Sequence, residues 1–113
     1  MAYSKIVRFD VYRTLAFGSI SGTFAAVGTA LTKPLRLIKF TNTSNADLIV
    51  SFDAINNNIY LPAGSFDLYD LNANQDPTYD FKMQIGTQIY VKQASGAPSS
   101  GGIFVTGIYG VGE

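Results

Sequence analysis

The sequence predicts an all-β, single-domain antiparallel β-sandwich or jelly-roll-like fold, with a small barrel sharing the same pattern, and an extended N-terminal arm or hairpin, and three observations carry that expectation. Apolar and polar residues alternate with a period of two over short stretches, turn-forming Asn, Asp, Gly and Pro recur every 8 to 12 residues, and aromatic and β-branched residues fill the runs between them. At 113 residues the chain is long enough for one core, burying roughly 65% of the surface its unfolded form exposes. Residues 1–33 read as an N-terminal strand and a Gly/Ser/Ala-rich arm, and residues 34–113 as the sandwich body.

From Ile6 to Phe17 one alternate set reads Val7, Phe9, Val11, Arg13, Leu15, Phe17 and the other Ile6, Arg8, Asp10, Tyr12, Thr14, Ala16. That period of two suits a half-buried strand or hairpin, and Arg13 in the apolar set marks a place where the strand bends, ends or meets a partner. Residues 18–33, GSISGTFAAVGTALTK, hold too many Gly and β-branched residues for a stable helix. They read as an extended arm with a short strand near Thr23 to Val27. After Pro34 comes LRLIKFTN, apolar on both faces and therefore expected to be covered on both sides.

The cluster NTSNAD at 42–47 is expected to join that strand to LIVSFD as a hairpin, and Asn56, Asn57 and Asn58 to supply positive φ in the next turn. NIYL, the breaker Pro62-Ala63-Gly64 and SFDLYDL follow. Then come a polar loop from Asn72 to Asp76, YDFKMQI, a turn at Gly86, TQIYVKQ, a linker ASGAPSSGG at 94–102 read as a loop within one sheet, and the closing IFVTGIYG. Eight to ten short strands are expected. Phe40, Phe52, Phe66, Phe81 and Phe104 are expected in the core, and the seven tyrosines at sheet margins.

Composition argues against chemistry. The chain has no His and no Cys, so the usual neutral-pH base and the usual low-pKa nucleophile are both missing. Asp67 and Asp70, three apart on a strand, point to opposite faces and cannot act as a pair. Asn72, Asn74, Asp76, Thr78 and Asp80 follow the alternate spacing of calcium loops, but Pro77 and Met83 stand where such loops need Gly and Glu. An ordinary polar turn is the expectation there. Gly18, Gly22 and Gly28 lack phosphate-loop spacing, and the sequon Asn42-Thr43-Ser44 reads as turn chemistry. No cofactor is expected.

Charged residues are 14% of the chain and apolar residues 47%, so few charges solvate the surface and much of it is expected to be covered in use. Net charge is zero, yet residues 1–46 hold six Lys/Arg against one Asp and residues 47–113 two Lys against seven Asp/Glu. Six basic residues spread over that length form no concentrated face for nucleic acid. The split reads first as charges scattered on solvated faces of a sandwich, and second as complementary contacts between neighbouring copies. No long apolar run suggests a membrane span, and the chain reads as soluble and made in the cytosol.

Taken together, PLRLIKFTNTSNADLIVSFDAINNNIYLPAGSFDLYDL and GTQIYVKQASGAPSSGGIFVTGIYG resemble small virion structural proteins of tailed bacteriophages, over roughly Pro34 to Gly110. The resemblance implies a β-sandwich present in many copies on the virion, as a capsid cement or decoration protein or as a ring component of the neck or tail. Its implied partners are the major capsid protein or other virion proteins and further copies of itself. The expected interface residues are Tyr3, Arg8, Arg13, Phe17, Phe24, Leu31 and Lys33, which lie in the strand and arm. A carbohydrate- or receptor-binding β-module at a tail tip, with tyrosines stacked on sugars, is the alternative.

Overall fold

The structure is a computed structural model that describes residues 6–71 and 83–111. Among these described residues nine strands follow in order: β1 (Ile6–Phe9), β2 (Arg13–Ala16), β3 (Ala25–Ala26), β4 (Leu35–Asn42), β5 (Leu48–Ser51), β6 (Ile59–Leu61), β7 (Phe66–Asp70), β8 (Tyr90–Gln93) and β9 (Gly102–Val111). All pairings are antiparallel. One sheet runs β1-β9-β4-β7, with β2 on the same side of β9 as a continuation of β1, and the other runs β3-β8-β5-β6. The all-β sandwich expected from alternation is therefore what forms.

Its core lies between the sheets. Leu35, Ile38, Phe40, Ile103 and Val105 from the first sheet meet Leu48, Val50, Leu61 and Val91 from the second, all buried, with Ile20, Val27, Leu31 and Ile89 filling the flank. Each such side chain contributes roughly 1.5–3 kcal/mol by leaving water. Two bulges set which residues face inward. Phe9 opposes Ile108 while Arg13 opposes Val105, so the β1–β2 edge carries one extra residue over that span. On β4 the register shifts between Leu35 and Leu37. Leu35 and Ile38 thus both point inward although three positions separate them.

The segment 18–33 is not an arm. Val27 N–H donates to the Ile89 carbonyl, Leu31 N–H to that of Thr87, and Gly86 N–H back to that of Leu31. Leu31, expected at an interface, is 1% exposed in the core. Three apolar anchors among small residues are enough to bury the segment along β8, which is the physical reason it does not extend. Arg13 is corrected likewise: it is 8% exposed, paired to Asp10 at 2.9 Å, and its Nε donates to the Thr29 carbonyl at 2.8 Å. The guanidinium staples the β1–β2 bulge to the loop after β3.

Three of the connections cross between sheets, and for two of them, residues 42–47 and 94–102, this differs from expectation. NTSNAD turns a corner from β4 to β5: buried Asn42 donates through Nδ2 to the carbonyls of Ala46 and Leu61, and its Oδ1 accepts from Ser44 N–H. A side chain that satisfies the corner's backbone removes the need for a hairpin ladder. Pro62-Ala63-Gly64 carries the chain back to β7. The linker at 94–102 also changes sheets, from β8 to β9, and is pinned where Asn45 bonds Ser99 twice. The turn between β5 and β6 is the expected hairpin, but its positive φ falls on Ala54, at 62°, and not on an asparagine. Among the described residues β4 is covered by the core on one face only.

Candidate interaction surface

Residues directly opposed in an antiparallel sheet share a face, so the register defines the outer side of the five-stranded sheet. One row across it reads Phe9, Ile108, Leu37, Asp70. The next reads Thr106, Lys39, Leu68, and a third Thr14, Phe104, Thr41, Phe66. Tyr12, at the bulge, lies over Phe104 with ring centroids 5.9 Å apart. Phe9 is 74% exposed, Tyr12 60%, Phe66 58% and Leu68 53%, and Leu37, Phe104 and Ile108 are half-buried only by one another and their neighbours.

This is a contiguous apolar face, and its charges sit where they do not break it. Lys39 at its centre lies 4.5 Å from the Phe66 ring centroid, over the ring, so its stem adds apolar cover and its charge is held by the π-face. Asp70 stands at the margin on β7. Singly scattered surface hydrophobics need no explanation, but seven on one face, shared among four strands and the bulge, do. Phe66 and Phe104, expected in the core, belong to this outer face, while Phe40 is fully buried and Phe52 packs against the core from the side. Phe81 lies outside the described residues.

The residues expected at an interface are scattered by the fold. Tyr3 lies outside the described residues. Arg8 is exposed on β1, and Phe17 is 40% exposed in a short 3-10 turn beside β2. Phe24 is half-buried under Lys92, whose Nζ is 4.6 Å from the ring centroid, and Lys33 lies over Tyr109 at 5.5 Å. These two cations are thus engaged within the chain. What the sequence reading missed is the outer face itself. The alternate set Phe104, Thr106, Ile108 signals it, once β9 is known to sit between β4 and the β1–β2 edge.

Elsewhere the polar groups are structural. Asp67 opposes inward-facing Phe40 and Asp70 opposes outward-facing Leu37, so the two carboxylates are on opposite faces as the spacing predicts. Asp53 accepts from the N–H groups of Asn56 and Ile55, from Ser51 Oγ and from Asn56 Nδ2, which together hold its carboxyl far below the usual range. Tyr60 donates to Asp47, lowering that carboxyl and raising the phenol, and burial with nearby Asp67 raises Tyr69. Among the described residues no three His, Cys, Asp or Glu side chains cluster as a metal site would need. The candidate loop at 72–80 lies outside those residues.

An open cleft of about 320 Å³ sits at the sandwich side where β7 and β6 leave a gap, lined by Ile38, Phe40, Phe52, Ile59 and Tyr69. Apart from Asn58 its lining is apolar and aromatic, and among the described residues no charged group lines it. No helix among the described residues is long and apolar enough to cross a membrane. No protein-family model matches the sequence, and no curated protein or solved structure matches the chain.

Proposed function

We propose that this chain is a non-enzymatic structural protein of a tailed-phage virion, a capsid cement or decoration protein that stabilises the shell by bedding the outer face of its five-stranded sheet onto major capsid protein subunits. The observation that carries the reading is that face: Phe9, Tyr12, Phe66 and Leu68 stand in water beside half-buried Leu37, Phe104 and Ile108. An apolar surface of this kind is stable in solution only when small, and association covers it. The phage setting is supported by the sequence resemblance over Pro34 to Gly110, and the absence of His and Cys supports a role without chemistry.

Removing the apolar side chains from the face while leaving the core intact tests this. Particles lacking the chain are incubated with wild type or with a Tyr12→Ser, Phe66→Ser, Leu68→Ser variant and then sedimented. Wild type is expected to bind at a fixed copy number and the variant at least about tenfold more weakly, since burying even one large side chain is worth roughly 1.5–3 kcal/mol. Equal binding by the two overturns the reading. A ring position in the neck or tail uses the same face and is separated by where labelled protein sits on the particle. The sugar-binding alternative draws on exposed Tyr12 and Tyr60, and a glycan array decides it, because a cement protein ignores glycans.

A further inference from the structure

We propose that copies of this chain join head to tail, the β7 edge of one against the β1 edge of the next, so that the outer apolar face continues unbroken from copy to copy. This deepens the assembly reading above by naming the contact between copies. Both edges are open among the described residues: β7 pairs only with β4, and β1 only with β9.

Three features of the sheet favour this joint. The first is direction. The path β1-β9-β4-β7 is antiparallel at each step, so β1 and β7 run oppositely. A second copy placed in the same orientation then meets β7 with an antiparallel β1, and the ladder continues without a break in pattern.

The second feature is face matching. When Arg8 is set opposite Asp67 of the next copy, Phe9 falls opposite Phe66. Phe9 and Phe66 are both outward-facing, and Arg8 and Asp67 both occupy inward-side positions, opposite Tyr109 and Phe40 in their own sheets. This register therefore satisfies both faces, which a slip by one residue would not.

The third feature is charge. Arg8 is exposed and makes no ion pair among the described residues. In a symmetric joint, β7 against β7 puts two Asp67 carboxylates in one row, and β1 against β1 puts two Arg8 guanidinia in one row, directly opposed or diagonal. Like charges so placed are unfavourable, whereas the head-to-tail joint sets Arg8 against Asp67. One charge from each part of the basic-to-acidic split, Arg8 and Asp67, thus stands at either end of one sheet. A joint of this heterologous kind closes into a ring or runs on as an open array.

Because the chain has no cysteine, the joint can be read by placing one at each edge. Arg8→Cys chains and Asp67→Cys chains are prepared separately, checked for native β-sheet circular dichroism, and treated with a short bismaleimide alone and mixed. The mixture is expected to give crosslinked dimer at least tenfold above either variant alone, and a chain carrying both substitutions a ladder of oligomers. Dimer from Asp67→Cys chains alone, or no excess in the mixture, overturns the proposal. As a second measure, Arg8→Asp and Asp67→Arg each abolish self-association and their combination restores it. Rescue cannot come from misfolding, and failure of rescue counts against the joint. Phe66 and Leu68 lie on the edge strand of this joint, so face binding is read separately in a Tyr12→Ser, Leu37→Ser chain, which leaves the β7 edge, Arg8 and Asp67 unaltered.

Discussion

Arg13 shows how a charge can sit where alternation asks for an apolar residue. Its guanidinium pairs with Asp10 and donates to the carbonyls of Thr29 and Ala30, at 2.8 and 3.4 Å, so each end of the charge is answered. Gly28 makes room for it: at φ +65°, a Cβ there would stand 2.9 Å from Arg13 Cγ. Arg13→Ala leaves Asp10 and the carbonyls of Thr29, Ala30 and Val11 without their partner, and breaking a buried pair in this way costs about 3 kcal/mol. Denaturant unfolding at pH 7 measures that loss, and a change under about 0.5 kcal/mol, the range of an ordinary surface substitution, contradicts the account. Asp53, in the turn between β5 and β6, works through hydrogen bonds alone. Its folded pKa lies far below the unfolded value of about 3.9, so its contribution is present above that value and is lost as pH falls toward the folded pKa. Asp53→Asn is therefore expected to melt below wild type at pH 7, with the gap narrowing as pH drops below about 4. A gap that stays constant between pH 7 and pH 3 removes the carboxylate from the explanation.

Strands as elements were legible from period and turn residues, and their facing was not. A period of two says that a strand has two sides, but each bulge shifts the phase, so Val7, Phe9 and Val11 cannot be joined to Arg13 and Leu15 as one buried set. Which turns are corners was equally hidden. Asn42 reads as an ordinary turn residue in the sequence, and only its burial between β4 and β6 shows it bonding Ala46, Leu61 and Ser44 together. The outer face followed the same fate, because Phe104 and Phe40 carry the same local signal and differ only in which side of their strands the second sheet covers. Residues 18–33 are the clearest case. Read as an arm, they are dispensable for folding; as β3 and its flanks with Val27 and Leu31 in the core, they are not. Deleting residues 1–33 bares one edge of β9 and β8 and removes buried side chains worth roughly 1.5–3 kcal/mol each, against a typical total of about 5–15 kcal/mol. The truncated chain is expected to lose dispersed amide NMR signals and cooperative melting. A well-dispersed spectrum from residues 34–113 would show the segment to be an arm after all.

At the scale of the whole molecule, the two proposed contacts draw on different forces and respond to salt in opposite directions. The outer face is apolar with one cation held over an aromatic ring, so its association gains from solutes excluded from protein surface. The edge joint sets a guanidinium against a carboxylate in a partly wet site, where added salt screens the pair over a Debye length of about 8 Å at physiological ionic strength. With net charge zero and only 14% charged residues, no long-range field masks either effect. Raising sodium chloride from low to molar concentration is therefore expected to weaken self-association of the free chain, while ammonium sulfate at equal ionic strength strengthens binding to particles. Sedimentation of the two mixtures separates the cases. Particle binding that falls steeply with sodium chloride would mean that charge, and not the apolar face, holds the chain to its partner, and the Tyr12, Phe66 and Leu68 substitutions would then leave that binding unchanged.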